Sequence, residues 1–422
     1  MEFFSEIRVS IGVTYINENV RDGDRPKVDR CWSHFSEVIP LSTVEDVLDK
    51  IKKDESSAEQ SSVEKIIDEE LEEILREARA KIVVLGVGGA GCNTVQRLME
   101  VGVTGCTIAA LNTDAQDLLY SQAHKKVLLG RGVTGGLGAG NDPTVGEEAG
   151  RESEVEIKDI VTDVDLTFVT CGLGGGTGTG GAPVCADLGK KAGALTISVV
   201  TLPFTVEGQV RMQNARLGLE KLKEASDTVI VIPNDKLLEL APGLPINAAF
   251  KVSDETLMGA VMGITELINK PGLVNLDFAD VRTVMRNGGV AMIGLGESDT
   301  DNRAVEAAED ALNSPLLDVD IGGATGALIN IVAGPDVELQ EVEKVVEMVS
   351  AKLSSDAQII WGAQIDEELK STMRVLVIIS GVSSPYIVGR AKEEKTELEL
   401  PEEEEGKEIG KLRLEDLGIS SL

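Results

Sequence analysis

The chain alternates short β-branched or aliphatic runs with glycine-rich turns and helix-spaced apolar positions. Lys81–Leu85, Thr107–Leu111, Thr167–Cys171, Leu195–Val200 and Val229–Ile232 read as buried strands. Each gives way to a glycine-rich or polar loop and then to a helical pattern, as where Asn141-Asp142-Pro143 opens a helix. Such βα repetition predicts an α/β fold: a Rossmann-like, doubly wound parallel sheet with its ligand along the strand C-terminal edge. Leu257, Val261, Ile264 and Ile268 form one stripe, predicting a long helix over 251–270. Beyond it, strands at Gly289–Ile293, Ala327–Val332, Ile359–Trp361 and Val375–Ile379, with helices at Arg303–Asn313 and Leu339–Leu353, predict a second, smaller α/β domain.

The two ends read differently. Val63, Ile66, Ile67, Leu71, Ile74, Leu75 and Ala78 mark an amphipathic helix near 63–79, after a polar stretch and a first 44 residues without a motif. From Ala391 the composition turns acidic through Glu402–Glu405, and apolar residues return at Leu412–Ile419. The expected organisation is an N-terminal extension over 1–80, a ligand-binding domain over 81–250, a central helix over 251–270, a second domain over 271–388 and an acidic tail over 389–422.

Charge and composition narrow the chemistry. The 422 residues carry a formal charge of −32 and no large basic cluster, which argues against nucleic acid or an anionic membrane as direct partner. An anionic nucleotide would need a local cradle, with help from a divalent cation. Aromatic residues make up 3% of the chain, so Val, Ile, Leu and Ala must fill the cores. Five scattered cysteines form no Cys-x-x-Cys pair, and the two histidines, His34 and His124, offer no Ser-His or zinc-His chemistry. The cysteines suit small buried residues in a reducing cytoplasm. No apolar run reaches membrane-spanning length and no signal-peptide pattern opens the chain, so a soluble cytoplasmic protein is expected.

Two glycine loops carry the candidate site. Gly174-Gly-Gly-Thr-Gly-Thr-Gly180 follows one buried strand and precedes a helix expected from Pro183. Glycines at a helix mouth bare backbone N–H groups at the positive dipole end, which makes an anion cradle, and the two threonines add hydroxyls. A bland strand–helix turn or a flexible linker is the competing reading, and the loop is not a Walker A motif. Gly86-Val-Gly-Gly-Ala-Gly91 follows another strand and by itself fits the dinucleotide fingerprint, with Asp114 as its acidic partner. An NAD-dependent oxidoreductase is therefore a rival, weakened by the richer second loop and the lack of a His or Lys acid/base partner.

Seven motifs in order resemble those of the tubulin/FtsZ superfamily of GTPases, with details similar to archaeal members. They are Gly86–Asn93, Asn112–Gln116, Gly138–Gly140, Gly174–Gly180, Thr201–Phe204, Pro233–Lys236 and Asn275–Asp280. The likeness runs from about residue 80 to 385 and implies GTP as substrate, GDP as bound product and Mg2+ as helper. By resemblance, Gly89, Ala90, Gly91, Cys92 and Asn93 form the first phosphate loop, and Gly174, Gly175, Gly176, Thr177 and Gly178 the second. Glu207 and Arg211 match ribose-side contacts, Asn234 and Asp254 the guanine readers, and Phe250 stacks near the base. Cys92 stands where many relatives carry glycine or asparagine; the small thiol is expected to fit, at the risk of crowding or sensitising the phosphate loop.

Asp277 and Asp280, three residues apart at a helix entrance, read locally as ordinary capping residues. The resemblance implies more: they activate the hydrolytic water, Asn275 positions it, and the loop inserts into the next subunit's pocket. Head-to-tail filaments, a mid-cell division ring and an adaptor that tethers the C-terminal tail to the membrane follow as expectations. Alternatives are a cytoskeletal paralogue that controls cell shape and a scaffold that polymerises but hardly hydrolyses.

Overall fold

A computed structural model describes residues 80–382, apart from 241–244, 270–271, 275–276, 287 and 318–322. The helix expected near 63–79, Asn275 and the acidic tail lie outside the described residues. Ten strands form one sheet in the order β3-β2-β1-β4-β5-β6-β7-β10-β8-β9. Its first six positions are the doubly wound order, and every pairing among them is parallel. These strands are β1 (Ile82–Val87), β2 (Cys106–Asn112), β3 (Lys125–Leu128), β4 (Leu166–Gly172), β5 (Leu195–Leu202) and β6 (Thr228–Pro233).

Burial follows from position. β1 is buried at every residue because helices cover both faces of a parallel sheet. On one face Val83, Leu85 and Cys171 pack against Ala149 of α4 (Pro143–Glu152), Ile157 of α5 (Glu154–Val161), Ala182 of α6 (Thr177–Lys191) and Leu219 of α7 (Gln209–Ala225). On the other, Val84, Ile108 and Phe168 meet Val95 and Leu98 of α1 (Gly88–Val101) and Leu257, Val261 and Ile264 of a long central helix. Two short helices, α2 (Ala115–Tyr120) and α3 (Arg131–Thr134), flank β3.

The second half is hydrogen-bonded into the same sheet. Thr228, Val229 and Ile230 of β6 pair in parallel with Gly289, Val290 and Ala291 of β7 (Gly289–Ser298). β10 (Met373–Ser380) then runs antiparallel between β7 and β8 (Gly326–Ala333), and β9 (Gln358–Ile365) closes the edge parallel to β8. Along that edge Leu273 N–H donates to the Ala363 carbonyl at 2.8 Å, and Val274 forms a bridge with the same residue. Between the halves lie α8 (Asn234–Leu240), the central helix α9 (Ile246–Asn269) and α10 (Phe278–Met285); α11 (Arg303–Leu312) and α12 (Leu339–Ser350) cover the second half. α9 has 24 residues and starts earlier than the apolar stripe predicted. Its Gly263 carbonyl accepts from Asn330 Nδ2 on β8 at 3.2 Å.

The helix expected from Pro183 in fact begins at Thr177, directly out of the glycine loop. Proline and glycine read locally as a start signal and a loop. Packing overrides both: a Cβ on Gly180 would lie 1.9 Å from the Pro143 carbonyl oxygen, so only glycine lets α4 and α6 touch backbone to backbone. Gly180→Ala should therefore destabilise the protein by about 1–3 kcal/mol or more, seen as a lowered thermal midpoint. Gly259→Ala, on α9 with open space around its missing Cβ, should instead gain about 0.5–1 kcal/mol. Thermal unfolding of the two variants beside the parent chain checks both signs.

Candidate nucleotide site

At the C-terminal edge of the parallel strands a cleft of about 310 Å³ opens. Its floor is the start of two helices. Gly88, Gly89 and Ala90 come from the β1–α1 junction, and Gly175, Gly176, Thr177 and Gly178 from the β4–α6 junction. Neither helix start has a side-chain cap or an acidic residue in its first turn. Their first-turn N–H groups therefore lack intrahelical acceptors and offer an anion both hydrogen bonds and positive dipole ends. The two starts meet closely. Gly88 has φ +73°, and a Cβ there would lie 2.9 Å from the Gly178 nitrogen. The Thr177 hydroxyl pairs with that of buried Thr113, 2.6 Å away, which ties the α6 start to the β2–α2 loop.

The other end of the cleft is built to hold a flat heterocycle. Phe250, 40% exposed on α9, stands edge-on against buried Phe204 with ring centroids 5.2 Å apart and an interplanar angle of 82°. Asn234, the first residue of α8 directly after β6, is buried, and its Oδ1 accepts the Ser253 hydroxyl at 2.8 Å. That bond orients the amide and leaves its NH2 as the donor side. Asp254 lines the same end. Burial pushes its carboxyl up to about 6, with Glu255 adding to the rise and Arg97 opposing it. Near neutral pH it is an acceptor-only carboxylate. Glu207 and Arg211 complete the wall as an ion pair, and Glu207 also accepts from the Phe204 N–H at 2.9 Å. A donor amide, an acceptor carboxylate and an aromatic face sit at one end, and an anion cradle at the other.

The GTPase-domain model of the tubulin/FtsZ family matches residues 81–242, and the FtsZ C-terminal-domain model matches 289–383. Cell division protein FtsZ 1 of Thermococcus kodakarensis is 60% identical over 84% of this chain and 95% of its own. The chain belongs to the FtsZ family. The FtsZ of Methanothermobacter thermautotrophicus is also 60% identical, over 78% of this chain and 86% of its own. The FtsZ dimer from M. jannaschii superposes with a TM-score of 0.72 at 58% identity, over 74% of this chain and 92% of that one. CetZ2 from Haloferax volcanii, solved as a GTPγS-bound protofilament, gives 0.62 at 25% identity, over 72% and 93%. This chain is thus an FtsZ-type cell-division GTPase that binds guanine nucleotide, and the oxidoreductase alternative falls.

Against that family frame, Gly89, Ala90, Gly175, Gly176, Thr177, Gly178, Glu207, Arg211, Asn234, Phe250 and Asp254 line the cleft as expected. Four predicted residues do not. Gly91 packs α1 onto the sheet, where a Cβ would lie 2.5 Å from the Thr170 carbonyl. Gly174 supports the second loop from behind, its N–H donating to the Thr179 hydroxyl at 2.8 Å, so that threonine serves the loop and not an anion. Asn93 is exposed on α1. Cys92 is the clearest correction: its side chain turns into the core, with Sγ 4.0 Å from the Gly86 oxygen and 3.9 Å from that of Leu111. It neither crowds nor sensitises the phosphate loop, because helical geometry points this position at the sheet.

Asp277 and Asp280 are exposed at the start of α10 and are not among the residues lining the cleft. Asp277 does cap the helix, accepting from the Ala279 N–H at 3.2 Å. Ser253 and Arg97, which hold Asn234 and Asp254, escaped the sequence reading, and only Ser253, next to Asp254, carried any local signal; Thr113, which holds Thr177, lay within the Asn112–Gln116 motif but was given no role. No group of three or more His, Cys, Asp or Glu comes together as a metal cage among the described residues. Nor does any described helix have the length and apolarity to cross a membrane.

Burial also pushes the Cys92 thiol up to about 12, leaving negligible thiolate at neutral pH. Cys92 should resist iodoacetamide in the folded protein and react on unfolding, and Cys92→Ala should leave GDP affinity unchanged. Mass spectrometry of alkylated peptides, with and without denaturant, checks the first; a GDP titration checks the second.

Proposed function

We propose that the cleft binds GTP with its phosphates on the two glycine-loop helix starts and its base between Phe250, Asn234 and Asp254. The hydrolytic carboxylates then come from another copy. Guanine offers an acceptor at O6 and donors at N1 and N2; the Asn234 amide and the Asp254 carboxylate are the complement of that edge. Adenine reverses the pattern and would set donor against donor. Glu207 and Arg211 sit where the ribose would pass.

The observation that carries the second half is the separation of Asp277 and Asp280 from the cleft. Glu207 is occupied by Arg211 and the Phe204 N–H, and Asp254 lies at the base end. The phosphate end thus has donors but lacks a free carboxylate among its lining residues. Exposed at the start of α10, Asp277 and Asp280 are free to enter a neighbour's cleft, and Asn275, two positions before Asp277 in the sequence, would accompany them. There they would orient a water in line with the γ-phosphorus and take its proton, while the helix starts spread the charge of the leaving phosphate. The Thr177 hydroxyl would help to hold a Mg2+ ion, which would supply neutralisation of phosphate charge; the backbone donors of the two helix starts suit phosphate oxygen and not a metal cage. Such a head-to-tail contact repeats without closing and gives a filament. In the cell this reading places the filament at the mid-cell division site, with the acidic tail joined to a membrane-tethering adaptor.

Turnover per molecule should rise above a threshold protein concentration with GTP and not with ATP; a flat dependence would return the chemistry to a single chain. Asp280→Ala should lower turnover by about 10²–10⁴ while keeping GDP affinity. Asp254→Ala should weaken GDP by about 10–100-fold, as expected for a lost charged hydrogen bond, while keeping its own aspartates intact. Mixed in equal amounts, the two should recover turnover at about a quarter of contacts, where an intact cleft meets intact aspartates. Phosphate release from the mixture beside each variant alone is the deciding measurement. No recovery would mean that both parts act within one chain.

A further inference from the structure

The helix that begins at the phosphate cradle also touches the base reader. Farther along α1, Arg97 reaches two successive carboxylates of α9. Its Nη1 donates to Glu255 Oε1 at 3.1 Å, and its Nη2 lies 3.6 Å from Asp254 Oδ2. The exposures differ in a telling way: 14% for the Asp254 side chain and 22% for Arg97, against 59% for Glu255. Asp254 is thus the sheltered partner and Glu255 the solvated one.

We propose that Arg97 is a positioning residue for base recognition: through its contact from α1 it keeps the Asp254 carboxylate available to the guanine edge, and so sets the acidity below which the cleft loses guanine. The inference rests on the assignment of Asp254 to the guanine edge. Its physical basis is a contest of terms. Burial favours the protonated form of Asp254, Arg97 opposes this, and Glu255 adds to the burial effect. Of the other charges near the cleft, Glu207 and Arg211 pair with each other, Asp235 accepts from Thr205 and Lys236 pairs with Glu239, while Lys251 is exposed to solvent on α9. Among the described residues Arg97 is the cation in contact with Asp254.

The sign follows directly. A protonated Asp254 loses the negative charge that attracts N1–H and N2–H, so GDP affinity falls as acidity increases. Without Arg97 no cation among the described residues contacts Asp254 to oppose burial, and that fall begins nearer neutrality. Because Arg97 also shares its guanidinium with Glu255, removing the Glu255 charge strengthens its hold on Asp254 and moves the fall to lower pH.

The experiment is a GDP titration of the full chain between about pH 5 and 8.5, the range spanned by a shifted carboxyl, on the parent, Arg97→Met, Arg97→Lys, Glu255→Gln and Asp254→Asn. The β-phosphate of GDP itself titrates within this range, and the Asp254→Asn profile isolates that contribution. Arg97→Met should move the Asp254-dependent midpoint up by about one unit, an affinity loss near neutrality that disappears by the alkaline end. Arg97→Lys should restore the parent midpoint, and Glu255→Gln should lower it. Glu255 is exposed, so that variant keeps the test alive if Arg97→Met does not fold. Loss of affinity by the same factor at every pH, or unmoved midpoints in both Arg97→Met and Glu255→Gln, would overturn the role of Arg97 while a flattened Asp254→Asn profile left the base reading standing. An Asp254→Asn profile identical to the parent would instead remove the base reading itself, and this inference with it.

Discussion

Two helices have to begin at almost the same point in space, and the rest of the molecule accommodates that demand. α1 and α6 rise from neighbouring parallel strands, and their first turns approach until a Cβ on Gly88 would strike the Gly178 nitrogen. Two positive helix ends so close would repel each other without an anion between them. In a chain carrying −32 overall, this is how a triphosphate can be held at all: the attraction is local and made of backbone, and distant acidic residues are screened within about a Debye length. The parallel order of β1 and β4 aligns the two strand ends, and the glycines remove the side chains that would separate the loops.

The central helix joins this cradle to everything else. Phe250, Ser253 and Asp254 lie near its start at the base end of the cleft, and its Gly263 carbonyl is held by Asn330 from the second half of the sheet. With 24 residues it spans about 36 Å. The Oδ1 of Asn330 has no hydrogen-bond partner, so this buried link is only partly satisfied.

Much of the fold was legible because its signals are local. β1 announces itself as an unbroken apolar run and β4 as a β-branched and aliphatic one, and Asp142 caps α4 by accepting from the Thr144 N–H, as the Asn-Asp-Pro triplet suggested. The start of α6 was not legible, since a glycine run is poor helix material until α4 is there to pack against it. Four-residue β3, half of it lysine, carries no apolar alternation to detect. In the site, the glycine loops and the base readers were named from motif order. The direction of Cys92 depends on helical phase, and the hold of Arg97 on Asp254 spans 157 positions of sequence, so no local pattern contains either one. Asp277 caps its helix, the role its local sequence suggested, and stands exposed.

The sheet's two outer strands have a bearing on how many copies can share a crowded space. β3 presents Lys125 and Lys126 to solvent on its short edge, and the Lys126 ammonium turns back to the Leu119 carbonyl. At the far side, Leu273 and Val274 occupy part of the backbone of β9. Charge blunts one margin and the protein's own chain covers part of the other, so neither offers a long bare ladder for a foreign strand. A sheet of ten described strands can thus be present at high local density without fusing side by side with its copies.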